Sequence, residues 1–205
     1  MQGVKIEGGF AEIGAGAWLM SRAQPAAFFG TARRLPRKGW RVPDRGALEL
    51  VETSAAAKCA DAAKPFLTHI PCAATVHAVS SKVLVAPAKA RRNAAMVRVV
   101  PMSARGAFVA TEFGEEWLVT ATESRTARIV LAEEDTLCAR PEAVVAWTCK
   151  APTGYCPRLT ALDLILPRNP ANLMLTFYGP GIVWIEGSGR AAKADSIRQR
   201  RIYGF

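Results

Sequence analysis

The chain has 205 residues, half of them apolar, so it can bury a core and is not an intrinsically disordered chain. No apolar run reaches the roughly 18 residues of a membrane-spanning helix. The net charge is +10, and it is unevenly placed: residues 1–105 carry 16 Lys/Arg against 6 Asp/Glu, whereas residues 106–205 carry 11 of each. This asymmetry favours a polyanionic partner, and the alternative is a basic surface that serves only solubility.

Residues 1–95 read as an N-terminal β repeat broken by turns. GGFAEI, AWLM and AAFFG predict two or three strands, and ALELVE, PFLTHI, AATVHAV and KVLVA predict further ones. Between them, the two prolines and two glycines of residues 31–46 predict that the basic segment 31–45 is a loop. The alanines of SAAAKCADAAK predict a short helix over 54–64.

From residue 96 the strand pattern becomes stronger. β-Branched or aromatic runs of five to seven residues recur about every ten residues, with turn residues between them. These runs are MVRVV, GAFVAT, EEWLVT, ARIVLA, DTLCA, AVVAWT, TALDLIL, LMLTFYG and GIVWIE. They predict an all-β sandwich or barrel over 96–187, followed by a basic tail over 188–205.

The placement of large apolar residues in these runs predicts the core of the second domain. Eight side chains are expected to be mostly buried there: Phe108, Trp117, Ile129, Val145, Trp147, Leu164, Phe177 and Trp184.

Residues 104–148 resemble the altered inheritance of mitochondria protein 24 family. That family shows a progression GxGxLAL…G.V..V.L..GE…V.P..VVAYT, and residues 106–110, 129–131, Glu134, 140–141 and 144–148 occupy the matching places. LMLTFYGPGIVWIEGSG is similar to the last repeat of the family, WLMSRAQPAAFFG to a strand pair near its start, and PFLTHI to its PFLYQKI. The resemblance covers about 18–187, with gaps.

This resemblance implies a fold of repeated β-layers similar to that of the tryptophan RNA-binding attenuation protein. It also implies a mitochondrial location, at the matrix or the matrix face of the inner membrane, and no catalytic residues. Members of the family are associated with the organisation of the inner membrane.

The residue types that could carry chemistry do not form a convincing constellation. The two histidines, His69 and His77, flank Cys72, but eight residues of extended strand separate them by roughly 26 Å. There is no nucleophile elbow and no phosphate-binding loop. Cys149 and Cys156 bracket a Pro/Gly turn and could pair, although two free thiols are favoured. We therefore expect no enzyme activity, no metal and no cofactor.

The basic segments are the predicted binding site. Arginine forms bidentate hydrogen bonds with phosphate, and an adjacent indole can stack on an exposed base. The predicted contacts are Arg33, Arg34, Arg37, Lys38, Trp40, Arg41, Arg91, Arg92, Arg198, Arg200 and Arg201.

From these features the sequence predicts a structural subunit of a mitochondrial assembly, the ribosome foremost, bound to rRNA and ribosomal proteins. The alternative is a peripheral inner-membrane organiser that binds anionic lipid such as cardiolipin and membrane-protein partners. Neither DNA nor a small-molecule substrate is expected.

Overall fold

The computed structural model describes residues 4–21, 26–35, 48–90, 96–103, 106–114, 116–150, 152–155 and 174–187. These residues are nearly all β, and the only helical pieces among them are three 3-10 turns, Ser80–Lys82, Ala88–Ala90 and Pro141–Ala143. No helix in this part of the chain is long and apolar enough to cross a membrane. The prediction of an all-β fold is confirmed.

The described residues form nineteen strands, numbered in chain order. They are β1 (Lys5–Glu7), β2 (Phe10–Ile13), β3 (Gly16–Ser21), β4 (Ala26–Phe29), β5 (Ala32–Arg34), β6 (Leu48–Thr53), β7 (Ala57–Asp61), β8 (Phe66–Pro71), β9 (Val76–Val79), β10 (Val83–Pro87), β11 (Met96–Ser103), β12 (Gly106–Phe113), β13 (Trp117–Thr122), β14 (Thr126–Leu131), β15 (Thr136–Ala139), β16 (Val144–Trp147), β17 (Thr153–Tyr155), β18 (Met174–Tyr178) and β19 (Gly181–Glu186).

The described residues fall into two compact units. Unit 1 lies within Met1–Val97 and Val109–Thr126, and unit 2 lies within Arg98–Phe108 and Ala127–Phe205. The sequence placed the division at residue 96. Residues 109–126 nevertheless lie in unit 1, because β12 pairs with β9 and β13 pairs with β8 and β10.

Unit 1 contains two antiparallel sheets whose apolar faces form one core. Sheet A has the strand order β1-β2-β7-β4, and sheet B has the order β5-β6-β3-β10-β13-β8. Ala11, Ile13 and Cys59 of sheet A belong to the same buried cluster as Trp18 and Val85 of sheet B. Removal of apolar surface from water is favourable by roughly 25 cal/mol for each Å², so burial of this shared core stabilises unit 1.

A hydrogen-bond network fixes the corner between β2 and β3. The indole N–H of Trp18 donates to the carbonyl of Gly14 at 3.1 Å and to the hydroxyl of Thr53 at 3.2 Å. The Thr53 hydroxyl in turn donates to the Gly14 carbonyl at 3.0 Å. Gly16 follows with φ +139°, a conformation that side chains disfavour, so this corner requires a glycine.

Unit 2 contains the strand sets β15-β18-β17 and β16-β19-β14. Trp147 of β16 packs edge-on against Phe177 of β18, with ring centroids 5.7 Å apart, and both side chains are fully buried. Gly179 lies against the turn that joins β14 to β15: a Cβ at this position would be 1.7 Å from the Ala132 carbonyl oxygen. The turn after β18 can therefore approach that backbone only with glycine there.

The predicted core of the second domain is only partly as expected. Val145, Trp147, Phe177 and Trp184 are buried. Trp117 and Ile129 are only half-buried. The side chain of Phe108 and the whole of Leu164, with the predicted strand 160–166, lie outside the described residues.

Two local predictions in the N-terminal part are wrong. The helix predicted over 54–64 contains strand β7, because pairing with β2 and β4 on both sides overrides the helix propensity of its alanines. The predicted loop 31–45 begins with strand β5, which pairs with β6.

The sheets of the described residues do not close into a barrel, since each strand order has two ends.

Replacement of Trp147 by alanine should lower the free energy of unfolding by about 3–5 kcal/mol, since it removes a fully buried indole and leaves a cavity. Chemical denaturation followed by circular dichroism measures this change. Tyr178→Ala is the matched control, because the Tyr178 side chain is 51% exposed and its loss should change stability by no more than about 0.5 kcal/mol. Equal unfolding midpoints for the two variants would show that Trp147 is not a core residue.

Candidate polyanion-binding site

Two of the eleven predicted contact residues lie in the described part of the chain. Arg33 and Arg34 belong to strand β5 and not to a loop. Nothing is described of the other nine, which are Arg37, Lys38, Trp40, Arg41, Arg91, Arg92, Arg198, Arg200 and Arg201. Their role remains a prediction.

Arg33 has an exposed position at the end of sheet B. Strand β5 is the outermost strand there, and Arg33 is directly opposite Glu52 of β6, which is also exposed. Opposite charges facing each other across two strands contribute roughly 0.2–1 kcal/mol, less than a well-formed phosphate contact. An attraction of this size does not prevent the Arg33 guanidinium from binding an anion.

The described strands on either side of the basic segment, β5 at its start and β6 after it, are neighbours in sheet B. On one side, the Leu35 amide donates to the Leu50 carbonyl at 3.0 Å, one residue beyond β5. On the other side, Leu48 begins β6 opposite Ser21 of β3. The residues from 36 to 47 thus connect two neighbouring antiparallel strands. Sequence reasoning missed the strand in which this segment begins, and the cations from Arg37 onwards lie outside the described residues.

An exposed aromatic pair on the outer face of sheet A was missed by sequence reasoning. Phe10 and Phe29 pack edge-to-face with centroids 5.7 Å apart, and the Phe29 side chain is 62% exposed. Beside them Lys58 and Glu12 form an ion pair at 2.5 Å. That contact lowers the pKa of the Glu12 carboxyl and raises the pKa of the Lys58 ammonium. The sequence signal was the doublet Phe28–Phe29, because neighbouring strand residues point to opposite faces.

The three buried cysteines among the described residues do not have the character of nucleophiles. Burial raises the pKa of both the Cys59 and the Cys72 thiol to about 12. Burial also raises the pKa of Cys149. The reactive form of cysteine is the thiolate, so at neutral pH these three groups are protonated and unreactive. Cys156, the possible partner of Cys149, lies outside the described residues.

The two histidines lie on neighbouring parts of the chain but have different surroundings. His77 of β9 is opposite Glu112 of β12, with 3.6 Å between the imidazole Nε2 and the carboxylate Oε2. Burial lowers the pKa of His77, and the Glu112 charge only partly offsets this effect. His69 instead packs beside Trp117, with ring centroids 6.0 Å apart. Among the described residues no group of three or more His, Cys, Asp or Glu side chains could hold a metal ion.

Thiol labelling of the folded protein near pH 8 should separate the described cysteines into two classes. Cys138 is exposed and should react readily, whereas Cys59 and Cys72 should react at least about 100-fold more slowly, as buried thiols with a pKa of about 12. Peptide mass spectrometry after timed quenching measures each site. Labelling in denaturant is the control, since all the cysteines should then react alike. Fast labelling of Cys59 in the folded protein would contradict the described packing.

No family model matches the chain, and no curated protein matches it. Among solved structures the fold is similar to that of the Streptococcus pyogenes protein SPYM3_0169, determined by X-ray crystallography. The TM-score is 0.65 at 13% sequence identity, over 91% of this chain and 92% of that chain. At this identity the likeness shows a shared fold and nothing about activity or partners.

Proposed function

We propose that this chain is a non-catalytic structural subunit of a large mitochondrial assembly, the mitochondrial ribosome. In this proposal the β-sheets are a rigid scaffold, and the basic segments 31–45 and 188–205 bind rRNA and neighbouring ribosomal proteins. The observation that carries the proposal is that segment 31–45 begins in strand β5 at the end of sheet B, where β5 pairs with β6 and Arg33 is exposed.

The charge distribution supports the proposal. The excess of 16 Lys/Arg over 6 Asp/Glu in residues 1–105 places the cations on the part of the chain that carries this segment. Each phosphate that a Lys or Arg neutralises releases condensed counterions, which makes such an excess a source of affinity for RNA. These contacts would position the protein on RNA without reading its sequence.

The exposed aromatic side chain of Phe29 adds a second kind of contact. It stands four residues before Arg33 in the chain and is 62% exposed. Unpaired RNA bases stack on aromatic rings and on guanidinium planes, whatever the base. A cationic segment that closely follows an exposed aromatic residue in the chain is therefore a chemistry that suits single-stranded loops of a folded RNA.

The second candidate is a peripheral protein that organises the inner membrane, and it is favoured by the resemblance of residues 104–148 to the altered inheritance of mitochondria protein 24 family. The same cations would then bind the phosphates of anionic lipids such as cardiolipin. Both partners would give salt-dependent binding, so the experiments must distinguish RNA from lipid directly.

Alanine at Arg33, Arg34, Arg37 and Lys38 together should weaken binding to the assembly. The slope of log affinity against log salt should become shallower by about 3, because four phosphate contacts at roughly 0.7–0.9 each are lost. Binding of the purified protein to isolated ribosomes at several salt concentrations measures this slope. The matched control removes four exposed cations elsewhere, Lys5, Lys58, Arg140 and Lys150, and should retain the original slope. Equal losses in both variants would mean that only net charge matters.

Ribonuclease treatment of a mitochondrial extract distinguishes the two partners. On a density gradient the tagged protein should sediment with ribosomes and move to light fractions when the RNA has been digested. Sedimentation with membranes after digestion, followed by release in detergent, would contradict the ribosomal proposal and support the membrane candidate.

A further inference from the structure

Strand β14 is the outermost strand of the set β16-β19-β14 among the described residues. A strand at the end of a sheet has unpaired backbone N–H and C=O groups along one side. Another strand can add to such an edge through main-chain hydrogen bonds. Whether an edge is used in this way depends on how well its sequence prevents pairing.

The other edge strands carry features that discourage pairing. Natural proteins protect edges with short strands, charges and prolines. Strands β1, β5 and β17 have three residues, and β4 and β15 have four. Strand β8 ends in Pro71 and β11 contains Pro101.

Strand β14 is neither short nor interrupted by proline, and Arg128 is its one charged residue. It has six residues, TARIVL, with no proline and three β-branched side chains. Val130 in its second half is 61% exposed, a large exposure for an apolar residue inside a strand. A long, β-branched edge with an exposed apolar side chain favours association through that edge.

The charges along this edge identify the partner. Arg128 lies before Val130, and Glu133 and Glu134 follow it in the turn after the strand; all three are exposed. None of the three has an ion-pair partner within the described residues. The edge is thus positive towards its beginning and negative beyond its end.

This pattern is complementary to itself. When two copies of β14 lie antiparallel about a two-fold axis at Val130, residue 128 of each copy is opposite residue 132 of the other. Each Arg128 then lies near the turn of the second copy that carries Glu133 and Glu134, and the two Val130 side chains meet at the axis. Directly opposite residues in antiparallel strands share a face, so the two valines bury each other.

We propose that the β14 edge is a homodimer interface, at which two copies of this chain pair antiparallel and continue their sheets through each other. The interface is isologous, because the same strand is used by both copies. This inference is independent of the proposed RNA contacts, since it uses none of the basic segments.

Charge reversal at two positions tests the proposal in the full-length chain. Arg128→Glu alone places an acidic group near Glu134 of an identical copy, and Glu134→Arg alone places a cation near Arg128. Each variant should dimerise about tenfold more weakly than the original chain, because two symmetric attractive pairs become repulsive. Sedimentation velocity over a range of concentrations measures the dissociation constants.

Mixing the two charge-reversal variants is the decisive experiment. In a mixed dimer residue 128 of each copy again lies near a residue 134 of opposite charge, so the equimolar mixture should dimerise more strongly than either variant alone, and a size tag on one variant identifies the heterodimer. This rescue also shows that both variants are folded. Val130→Lys should weaken dimerisation in either background.

Three results would overturn the proposal. The first is an original chain that stays monomeric over the whole concentration range. The second is a dimer whose dissociation constant is unchanged in both charge-reversal variants. The third is a mixture of the two variants that associates no better than each variant alone.

Discussion

The structure of unit 1 depends on the burial of both faces of two central strands. Val83, Leu84, Val85 and Ala86 of β10 are all fully buried, and β13 is almost as completely enclosed. A strand that is apolar on both faces must be covered by a layer on each side, unlike a strand that alternates between core and solvent. Sheet A supplies one cover, through the alternate residues of β2 and β7 that face the core. The four consecutive apolar residues of β10 therefore require a layer such as sheet A on one side of the strand.

This layering leaves little room for chemistry in the interior. The buried hydroxyls of Thr120 and Thr122 donate to the carbonyls of Thr68 and Phe66 in the neighbouring strand, so they are satisfied within the sheet. The buried thiols of Cys59 and Cys72 are similarly enclosed and have strongly raised pKa values. Polar side chains that can meet a partner are accordingly found at strand ends, in connections and on outer faces. A scaffold of this kind presents contacts at its edges, which is how both proposed interfaces are built.

The two proposed interfaces use different physical properties of the same architecture. Segment 31–45 begins in strand β5 at one end of sheet B, where pairing with β6 fixes the backbone of the exposed residue Arg33 before it meets a partner. The β14 edge instead offers backbone groups and a charge pattern that reverses along the strand. Association of two copies would double the number of basic segments in one particle, and two linked sites bind a polyanion more tightly than one.

The sequence by itself determined the all-β class and most of the strands, because runs such as KVLVA and AVVAWT are long, β-branched and bounded by turn residues. It also identified the largest core residues of unit 2, Trp147 and Phe177, although Trp117 and Ile129 proved half-exposed.

Only the tertiary structure decided that Ala57–Asp61 is a strand, since its helix propensity is outweighed by the two strands that pair with it. Nor could the sequence predict which strands lie at the ends of the sheets. Whether a strand is central or at an edge depends on which distant segments pair with it, and a local sequence pattern does not identify those segments. The position of Arg33 opposite Glu52 and the exposure of Val130 follow from the strand pairing.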